Sequence, residues 1–287
     1  MNVLSVFFGL ASAACWGAGD FCGGFASKRL SSFVVVLAAQ IVGGGLFVML
    51  ALATDEAWTT GTDLAYGAGA GLCGMLGLLA LYSGLAAGRM SVFAPLAAIV
   101  SLVPPALVGL ISDGVPALTT TLGFLLAVPA VWLLSISGSQ LERMKPTELR
   151  LAMIAGLGFG LFFLCIDRVS VGAVFWPLAS ARVAAILALT LFLLARSGTS
   201  ATADQGTGPV PRTIYGVIAL SGTFDAGGNA FFTMATQSGR LDVAAVLSSL
   251  YPAATALLAW GLLKERLSKS QVGGMLAALL ALVLIAA

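Results

Sequence analysis

Ten long apolar stretches, joined by mostly short polar connections, dominate this chain of 287 residues. A helix crosses the roughly 30 Å core of a bilayer with about 20 apolar residues. Each stretch is close to that length, and none shows the alternation of a barrel strand. The sequence therefore predicts an all-α integral membrane protein with ten transmembrane helices. The predicted spans are residues 3–26, 32–53, 64–87, 91–111, 117–137, 149–170, 173–195, 213–237, 241–262 and 268–287.

The shortage of charged residues supports this interpretation. Hydrophobic residues make up 59% of the chain and charged residues only 9%, whereas a soluble domain carries about 25% charged residues. The net charge is +2, and no basic run is present that would bind nucleic acid. We therefore expect membrane lipid around the protein and no nucleic-acid partner. The expected location is the plasma (inner) membrane of a prokaryote.

Several kinds of chemistry are not expected from this sequence. Histidine, the usual metal ligand and general base near neutral pH, is absent from the chain. The four cysteines lie in apolar stretches without a CxxC motif, which predicts buried apolar side chains rather than metal ligands or disulfides. No HExxH, GxSxG or P-loop motif occurs. We therefore expect no enzyme activity, no metal and no cofactor, and no coupling to ATP within this chain.

Two weak internal matches indicate a duplication. Residues 83–99 align with residues 234–250 at an offset of 151, and five of the seventeen positions are identical. The segment "GLASAACWGAGD", which ends at Asp20, aligns with "GLGFGLFFLCID", which ends at Asp167, at an offset of 147. Both matches keep the same order along the chain.

A duplication of five spans inverts the second copy in the membrane, because an odd number of crossings brings the chain to the opposite face. Inverted repeats are a common plan of secondary transporters. The predicted units are a first five-helix repeat over residues 1–137, a connecting loop over residues 138–148 and a second five-helix repeat over residues 149–287.

The last two spans carry a family resemblance. They read "LSSLYPAATALLAWGLLKERLSKSQVGGMLAALLALVLIA", with Tyr251-Pro252, Glu265, Gln271 and Gly273-Gly274 as the characteristic residues. The corresponding first-half segment, "LVPPALVGLISDGVPALTTTLGF", lacks the glutamate. With its ten spans, the chain resembles the EamA-type branch of the drug/metabolite transporter superfamily over essentially its whole length. The resemblance implies two inverted five-helix repeats and a transport function. It implies no particular substrate, because members move amino acids, drugs, nucleotide sugars and other metabolites.

Four charged residues inside the predicted spans are the main candidates for a site: Asp20, Asp167, Arg182 and Asp225. A charge at the bilayer centre costs about 2.5–3.5 kcal/mol on insertion scales, so such residues usually face a cavity or a partner. Asn229 lies four residues after Asp225 and therefore on the same helix face. Asp225 is interpreted as a binding or coupling carboxylate, or as a structural ion-pair partner of Arg182.

Weaker candidates are the polar side chains Gln40 and Tyr82 and the aromatic side chains Trp16 and Trp176. A single glutamine or tyrosine in a span often serves as a hydrogen-bond link between helices. Trp16 and Trp176 either line a cavity or pack between helices. The sequence leaves these alternatives open.

These features together favour a secondary active transporter, expected to export small metabolites such as amino acids across the membrane by alternating access. The alternative is a proton-coupled efflux protein for cationic drugs or other organic cations, in which carboxylates alternate between proton and cation. The expected partners are a small-molecule substrate, membrane lipid and protons as a coupling ion, and the expected state is a monomer or weak homodimer.

The distribution of basic residues predicts an orientation. Eleven Lys and Arg residues lie in or beside the loops on one face, whereas Arg168 and Arg240 lie on the face that carries both termini. The positive-inside rule places the face rich in Lys and Arg in the cytoplasm, so both termini are predicted to face outward. The family resemblance implies the opposite, with cytoplasmic termini. We favour the orientation from the charge distribution.

Overall fold

A computed structural model describes residues 3–86, 97–112, 114–135, 146–196, 211–263 and 268–286. Within these ranges the regular structure is entirely α-helical. The helices are α1 (Val3–Ser27), α2 (Ser32–Ala53), α3 (Gly61–Ala86), α4 (Val103–Ser112), α5 (Leu118–Ser135), α6 (Pro146–Asp167), α7 (Phe175–Arg196), α8 (Arg212–Ser238), α9 (Leu241–Ser248), α10 (Tyr251–Leu263) and α11 (Lys269–Ala286).

The helices follow the predicted spans closely, with ends that differ by a few residues. Five of the described helices, α1, α2, α3, α6 and α7, are long and apolar enough to cross a membrane. The start of the fourth predicted span, at residues 91–96, lies outside the described residues. The all-helical membrane fold predicted from the apolar stretches is confirmed.

Two of the spans are interrupted near proline residues. The ninth span consists of α9 and α10, separated by Ser249 and Leu250, and Pro252 lies in the first turn of α10. The fourth span has a turn at Leu102 between a short helical stretch and α4, which contains Pro104 and Pro105. Proline lacks the backbone N–H that a continuous helix requires, and interrupted helices of this kind line cavities in membrane proteins.

The packing of the helices has the pattern of a two-fold repeat. The first span packs most extensively against the eighth (α1 with α8), and the sixth packs in the same way against the third (α6 with α3). The contact between the seventh and third spans has its counterpart in the contact between the second and eighth spans. The fifth span packs on the tenth, and the second on the seventh. Each of these contacts is reproduced when spans 1–5 exchange places with spans 6–10. The boundaries of the two repeats stay a prediction.

Matching contacts give the register between the two halves. A Cβ added to Gly228 of α8 would lie 2.3 Å from Trp16 of α1, and a Cβ added to Gly77 of α3 would lie 2.7 Å from Phe159 of α6. Gly77 and Gly228 are 151 residues apart, and Trp16 and Phe159 are 143 residues apart. The first offset agrees with the sequence repeat. The second differs by four residues from the offset of 147 that aligned Asp20 with Asp167.

Candidate functional site

A cavity lies between the two halves of the helix bundle, and it encloses about 620 Å³, including the part that is open to solvent. Helices from both halves line it, among them α1, α2 and α3 from the first half and α6, α7 and α8 from the second. Six of the nine candidate residues from the sequence line this cavity: Trp16, Asp20, Gln40, Arg182, Asp225 and Asn229.

The cavity has a polar wall and an apolar wall that occupy equivalent positions in the two halves. The polar wall comes from α1 and α8 and consists of Trp16, Asp20, Asp225 and Asn229. The apolar wall comes from α6 and α3 and consists of the equivalent residues Phe159, Phe163, Gly74 and Leu78. An offset of 143 relates Trp16 and Asp20 to Phe159 and Phe163, and an offset of 151 relates Asp225 and Asn229 to Gly74 and Leu78. The two walls suit a ligand with one polar side and one apolar side.

An ion pair between Arg182 and Asp225 forms the charged part of the cavity wall. Arg182 Nη2 lies 2.8 Å from Asp225 Oδ2, and the two residues are only 4% and 8% exposed. Arg182 Nη1 donates a hydrogen bond to Gln40 Oε1 on α2, and the guanidinium carbon lies 5.3 Å from the ring centroid of Phe47. Desolvation of two charges is offset only when their remaining donors and acceptors are also satisfied.

That condition is not met among the described residues. Arg182 Nε, Arg182 Nη2 and Asp225 Oδ2 are all buried and have no hydrogen-bond partner within the described part of the chain. The 2.8 Å contact between the two residues is therefore a Coulombic contact whose N–H group does not point at the oxygen. The pair retains donor and acceptor capacity that a ligand can use.

Two consecutive glycines of α2 leave room for the arginine side chain. A Cβ added to Gly43 would lie 3.2 Å from Arg182 Nε, and one added to Gly44 would lie 3.2 Å from Arg182 Cβ. Small residues permit such close helix contacts in membranes. Gln40 and Arg182 also occupy equivalent positions in the two halves. Gly222 contacts Ala39 in the same way as Gly71 contacts Ala181, so Ala39 is equivalent to Ala181 and the next residues, Gln40 and Arg182, are equivalent as well. The hydrogen bond between Gln40 and Arg182 thus joins equivalent positions of the two halves.

The polar wall is held together by hydrogen bonds between α1 and α8. Trp16 Nε1 donates to Asn229 Oδ1 at 2.8 Å, and Ser12 Oγ donates to the carbonyl of Gly228 at 2.9 Å. The Trp16 ring stacks on Phe163, with the two centroids 5.7 Å apart. Asn229 and Trp16 are therefore fixed in orientation before any ligand arrives.

Asp20 differs from Asp225 in its surroundings. Asp20 is a partly exposed residue that lines the cavity, and no hydrogen bond or ion pair joins its carboxylate to another described residue. With Arg182 already paired to Asp225, the described charges in the cavity wall leave one carboxylate without a cation. This arrangement is suited to a cationic group or a proton.

Sequence reasoning missed two cavity residues at the interrupted helices. Ser101 precedes the turn in the fourth span, and Tyr251 begins α10 in the ninth span. The prolines near both positions are the available signal, because proline interrupts the backbone hydrogen bonding of a helix. The sequence did not show that both breaks meet the same cavity.

Three candidates from the sequence lie away from the cavity lining. Tyr82 is fully buried, with its hydroxyl oxygen 3.3 Å from Ser221 Oγ, and it joins α3 to α8. Asp167 is the last residue of α6. Trp176 lies in the first turn of α7, where Nε1 donates to the carbonyl of Glu56 at 3.0 Å. We leave these three residues out of the proposed site.

The contacts of Trp176 belong to a network that joins loops on the face carrying both termini. The Glu56 carboxylate accepts hydrogen bonds from the backbone N–H groups of Val174, Phe175 and Trp176 at 2.9–3.1 Å. An N-terminal helix end leaves such donors unsatisfied, so Glu56 caps α7 from the opposite half of the chain.

Two further side chains hold the loop between α6 and α7. Asp63 is buried, and its carboxylate accepts from the backbone N–H of Ser170 at 2.8 Å. The amide of Gln237 at the end of α8 donates to the carbonyl of Ala173 at 2.9 Å and accepts from the N–H of Gly172 at 3.1 Å. The Asp63 contact ties the two halves together on the face with both termini, whereas the Gln237 contacts lie within the second half.

No group of three or more Cys, Asp or Glu side chains in the described ranges could hold a metal ion. The expectation that the protein needs no metal and no cofactor stays a prediction.

The fold and the buried charged cavity define a multi-pass membrane protein whose two halves enclose a central compartment. The model of the EamA-like transporter family matches residues 147–287. Residues 147–287 therefore belong to this family, and the match supports a membrane transporter of the drug/metabolite transporter superfamily. The resemblance seen in the last two spans is confirmed.

A solved structure titled "Crystal structure of protein" is similar to this chain, with a TM-score of 0.75 and 12% sequence identity. The match covers 99% of this chain and 96% of that chain. At this identity the likeness shows the fold alone. No curated protein compared with the chain matches it.

Proposed function

We propose that this protein is a secondary active transporter that exports small metabolites such as amino acids by alternating access. The observation that carries the proposal is the Arg182–Asp225 pair, which lies buried in a cavity lined by helices of both halves. Two halves that rock against each other around a fixed central site give alternating access. The same cavity offers a cation for a carboxylate and a carboxylate for an ammonium group.

The network on the termini face supports this mechanism. Glu56, Asp63 and Gln237 each bond the loop between α6 and α7 or the start of α7. The Glu56 and Asp63 contacts join the two halves across this face, so the proposed mechanism requires them to break when the cavity opens toward it. The chain contains no P-loop, so an ion gradient or exchange of substrate is the proposed source of energy rather than ATP, and no enzyme activity is proposed.

A second candidate function is proton-coupled efflux of cationic drugs or other organic cations. Asp20 favours it, because this carboxylate lines the cavity and has no cationic partner among the described residues. A carboxylate of this kind can alternate between a proton and a cationic substrate.

The proposed location is the plasma (inner) membrane of a prokaryote, and the proposed state is a monomer or weak homodimer. The proposed orientation has both termini on the outer face, and the distribution of basic residues among the connections supports it through the positive-inside rule. Protons are the proposed coupling ion.

Counterflow in liposomes tests the proposal. Purified protein is screened by thermal shift against metabolites and cationic drugs, and the stabilising compounds are then assayed for counterflow of labelled substrate. Accelerated exchange of an amino acid supports the metabolite function, and exchange of an organic cation alone supports the second candidate. A channel shows flux without counterflow, and that result would overturn the carrier mechanism.

A further inference from the structure

Arg182 is the basic residue in the lining of the cavity, and one edge of its guanidinium has no hydrogen-bond partner in the described part of the chain. The two nitrogens concerned are Nε and Nη2. These two N–H groups lie on the same edge of the planar guanidinium, and such an edge binds both oxygens of a carboxylate. Nη1 is already used, because it donates to Gln40.

Asp225 occupies this edge incompletely. Its Oδ2 contacts Nη2 at 2.8 Å, yet this oxygen accepts no hydrogen bond from the described residues. A buried pair with unused donors and acceptors gains little from its Coulombic attraction after desolvation. A ligand carboxylate that makes two aligned hydrogen bonds to the same edge would replace it favourably.

We propose that Asp225 is a built-in counter-ion of Arg182, which the carboxylate of a zwitterionic substrate replaces. The freed Asp225, together with Asp20, then binds the ammonium group of the same substrate. This inference rests on the proposed function and names its substrate class: a small zwitterion with an apolar side chain. The apolar side chain packs on the wall formed by Leu78, Phe159 and Phe163.

The charge balance of the cavity explains why one group alone binds poorly. A lone carboxylate would leave Asp225 without its cation, and a lone ammonium would face Arg182 beside the two aspartates. A zwitterion supplies both groups at once. Removal of the charge of Asp225 should therefore change the preference among ligands rather than weaken all of them equally.

Three ligands of nearly the same shape test this inference on the purified full chain. The probes are L-leucine, 4-methylpentanoate, which lacks the ammonium group, and 3-methylbutylamine, which lacks the carboxylate. Binding is measured by isothermal titration calorimetry. We expect the wild-type protein to bind leucine about tenfold more tightly than either analogue, which corresponds to about 1.4 kcal/mol.

In Asp225→Asn we expect 4-methylpentanoate to bind about tenfold more tightly than to the wild type, and leucine about tenfold more weakly. Asp20→Asn is the matched control, because it removes a carboxylate from the same cavity without freeing Arg182. Asp20→Asn should bind leucine and the amine more weakly than the wild type and should not bind 4-methylpentanoate more tightly. An equal gain in affinity for 4-methylpentanoate in both variants would show a general effect of charge and overturn the assignment of Asp225 as the counter-ion of Arg182.

A second pair of variants tests the arginine edge without changing any charge. Gly43→Ala places a methyl group 3.2 Å from Arg182 Nε, whereas a Cβ at Gly45 on the same helix meets nothing within 4 Å. We expect Gly43→Ala to bind leucine and 4-methylpentanoate about tenfold more weakly than the wild type and to bind 3-methylbutylamine with unchanged affinity. Gly45→Ala should bind all three ligands like the wild type. Equal loss of all three ligands in Gly43→Ala would overturn the assignment of this edge.

Liposome counterflow separates this inference from the proposed function. The proposal of a zwitterionic substrate is overturned if leucine does not bind at millimolar concentration, or if the amine binds as tightly as leucine. This holds even if another metabolite shows counterflow. Absence of counterflow for every metabolite and cation overturns the transport proposal itself, whatever the ligands bind.

Discussion

The guanidinium of Arg182 and the carboxylate of Asp225 meet at 2.8 Å between α7 and α8, in the wall of the central cavity. Forty-three residues separate the two in the chain. Gln40 and Phe47 of α2 hold the guanidinium from the other side. This pair connects the packing of the helices to the proposed transport function.

Asp225→Asn should leave a folded, monodisperse protein that has lost most amino-acid binding and transport. The substitution keeps the shape of the side chain and removes only its charge. Removing one partner of a fully buried pair costs about 3–5 kcal/mol, but here Gln40 and Phe47 still hold the arginine, so we expect a smaller loss of stability. Size-exclusion chromatography and thermal unfolding in detergent measure the first point, and liposome uptake measures the second.

The double variant Asp225→Asn with Arg182→Gln provides the control for this prediction. If the single variant is unfolded and Arg182→Gln restores folding, Asp225 serves as a structural partner and the site assignment is incorrect.

Transport that depends on pH should lose this dependence in at least one of Asp20→Asn, Asp167→Asn and Asp225→Asn. The chain contains no histidine, so a carboxylate is the expected proton carrier. The structure favours Asp20, because it faces the cavity and has no cationic partner among the described residues. Uptake measured across a range of pH in each variant checks this. An unchanged pH profile in all three would exclude these carboxylates as proton carriers.

Glu56→Ala should lower the thermal stability of the protein. The carboxylate caps the start of α7 through three backbone N–H groups, and loss of a helix N-cap costs about 0.5–2 kcal/mol. The matched control is Asp55→Asn in the same loop, because Asp55 has φ 50, which asparagine tolerates. Unfolding curves in detergent should shift for the first variant and stay within error for the control. Equal shifts would show that the cap contributes nothing specific.

Labelling of Asp204→Cys should fail in intact cells and succeed after permeabilisation. Residue 204 lies outside the described residues, in the connection between α7 and α8, on the face that is rich in Lys and Arg. The positive-inside rule places that face in the cytoplasm. A membrane-impermeant maleimide is the reagent, and Gln237→Cys on the opposite face is the control that should react from outside. The reverse pattern would place both termini in the cytoplasm.

The fold was largely predictable because the signal for a membrane span is long and local. Twenty apolar residues in a row have one stable arrangement in lipid, a helix with all its backbone groups bonded internally. The predicted ends of α2, at residues 32 and 53, coincide with the observed ends. The sequence predicted a single span over residues 241–262, whereas the structure divides it into α9 and α10 next to Pro252.

The repeat was detected, but its register was only partly predicted. Asp20 aligned with Asp167 in the sequence, whereas the contacts of Trp16 and Phe159 show that Phe163 is the equivalent of Asp20. The difference is four residues, about one helical turn. A shift of one turn keeps the same face of an apolar helix toward its neighbour, so the hydrophobic pattern cannot distinguish the two registers.

The sequence by itself determined that the chain spans a membrane and that a few charges lie inside the bilayer. A buried charge is expensive, so Asp20, Arg182 and Asp225 stood out from their apolar surroundings. Only the tertiary structure decided which of them share a cavity. Helix packing brings Arg182 to Asp225 and Gln40, and it places Asp167 and Trp176 at helix ends. The physical reason is that hydropathy reports the depth of a residue along a span, whereas a site depends on the rotation of each helix and on its neighbours.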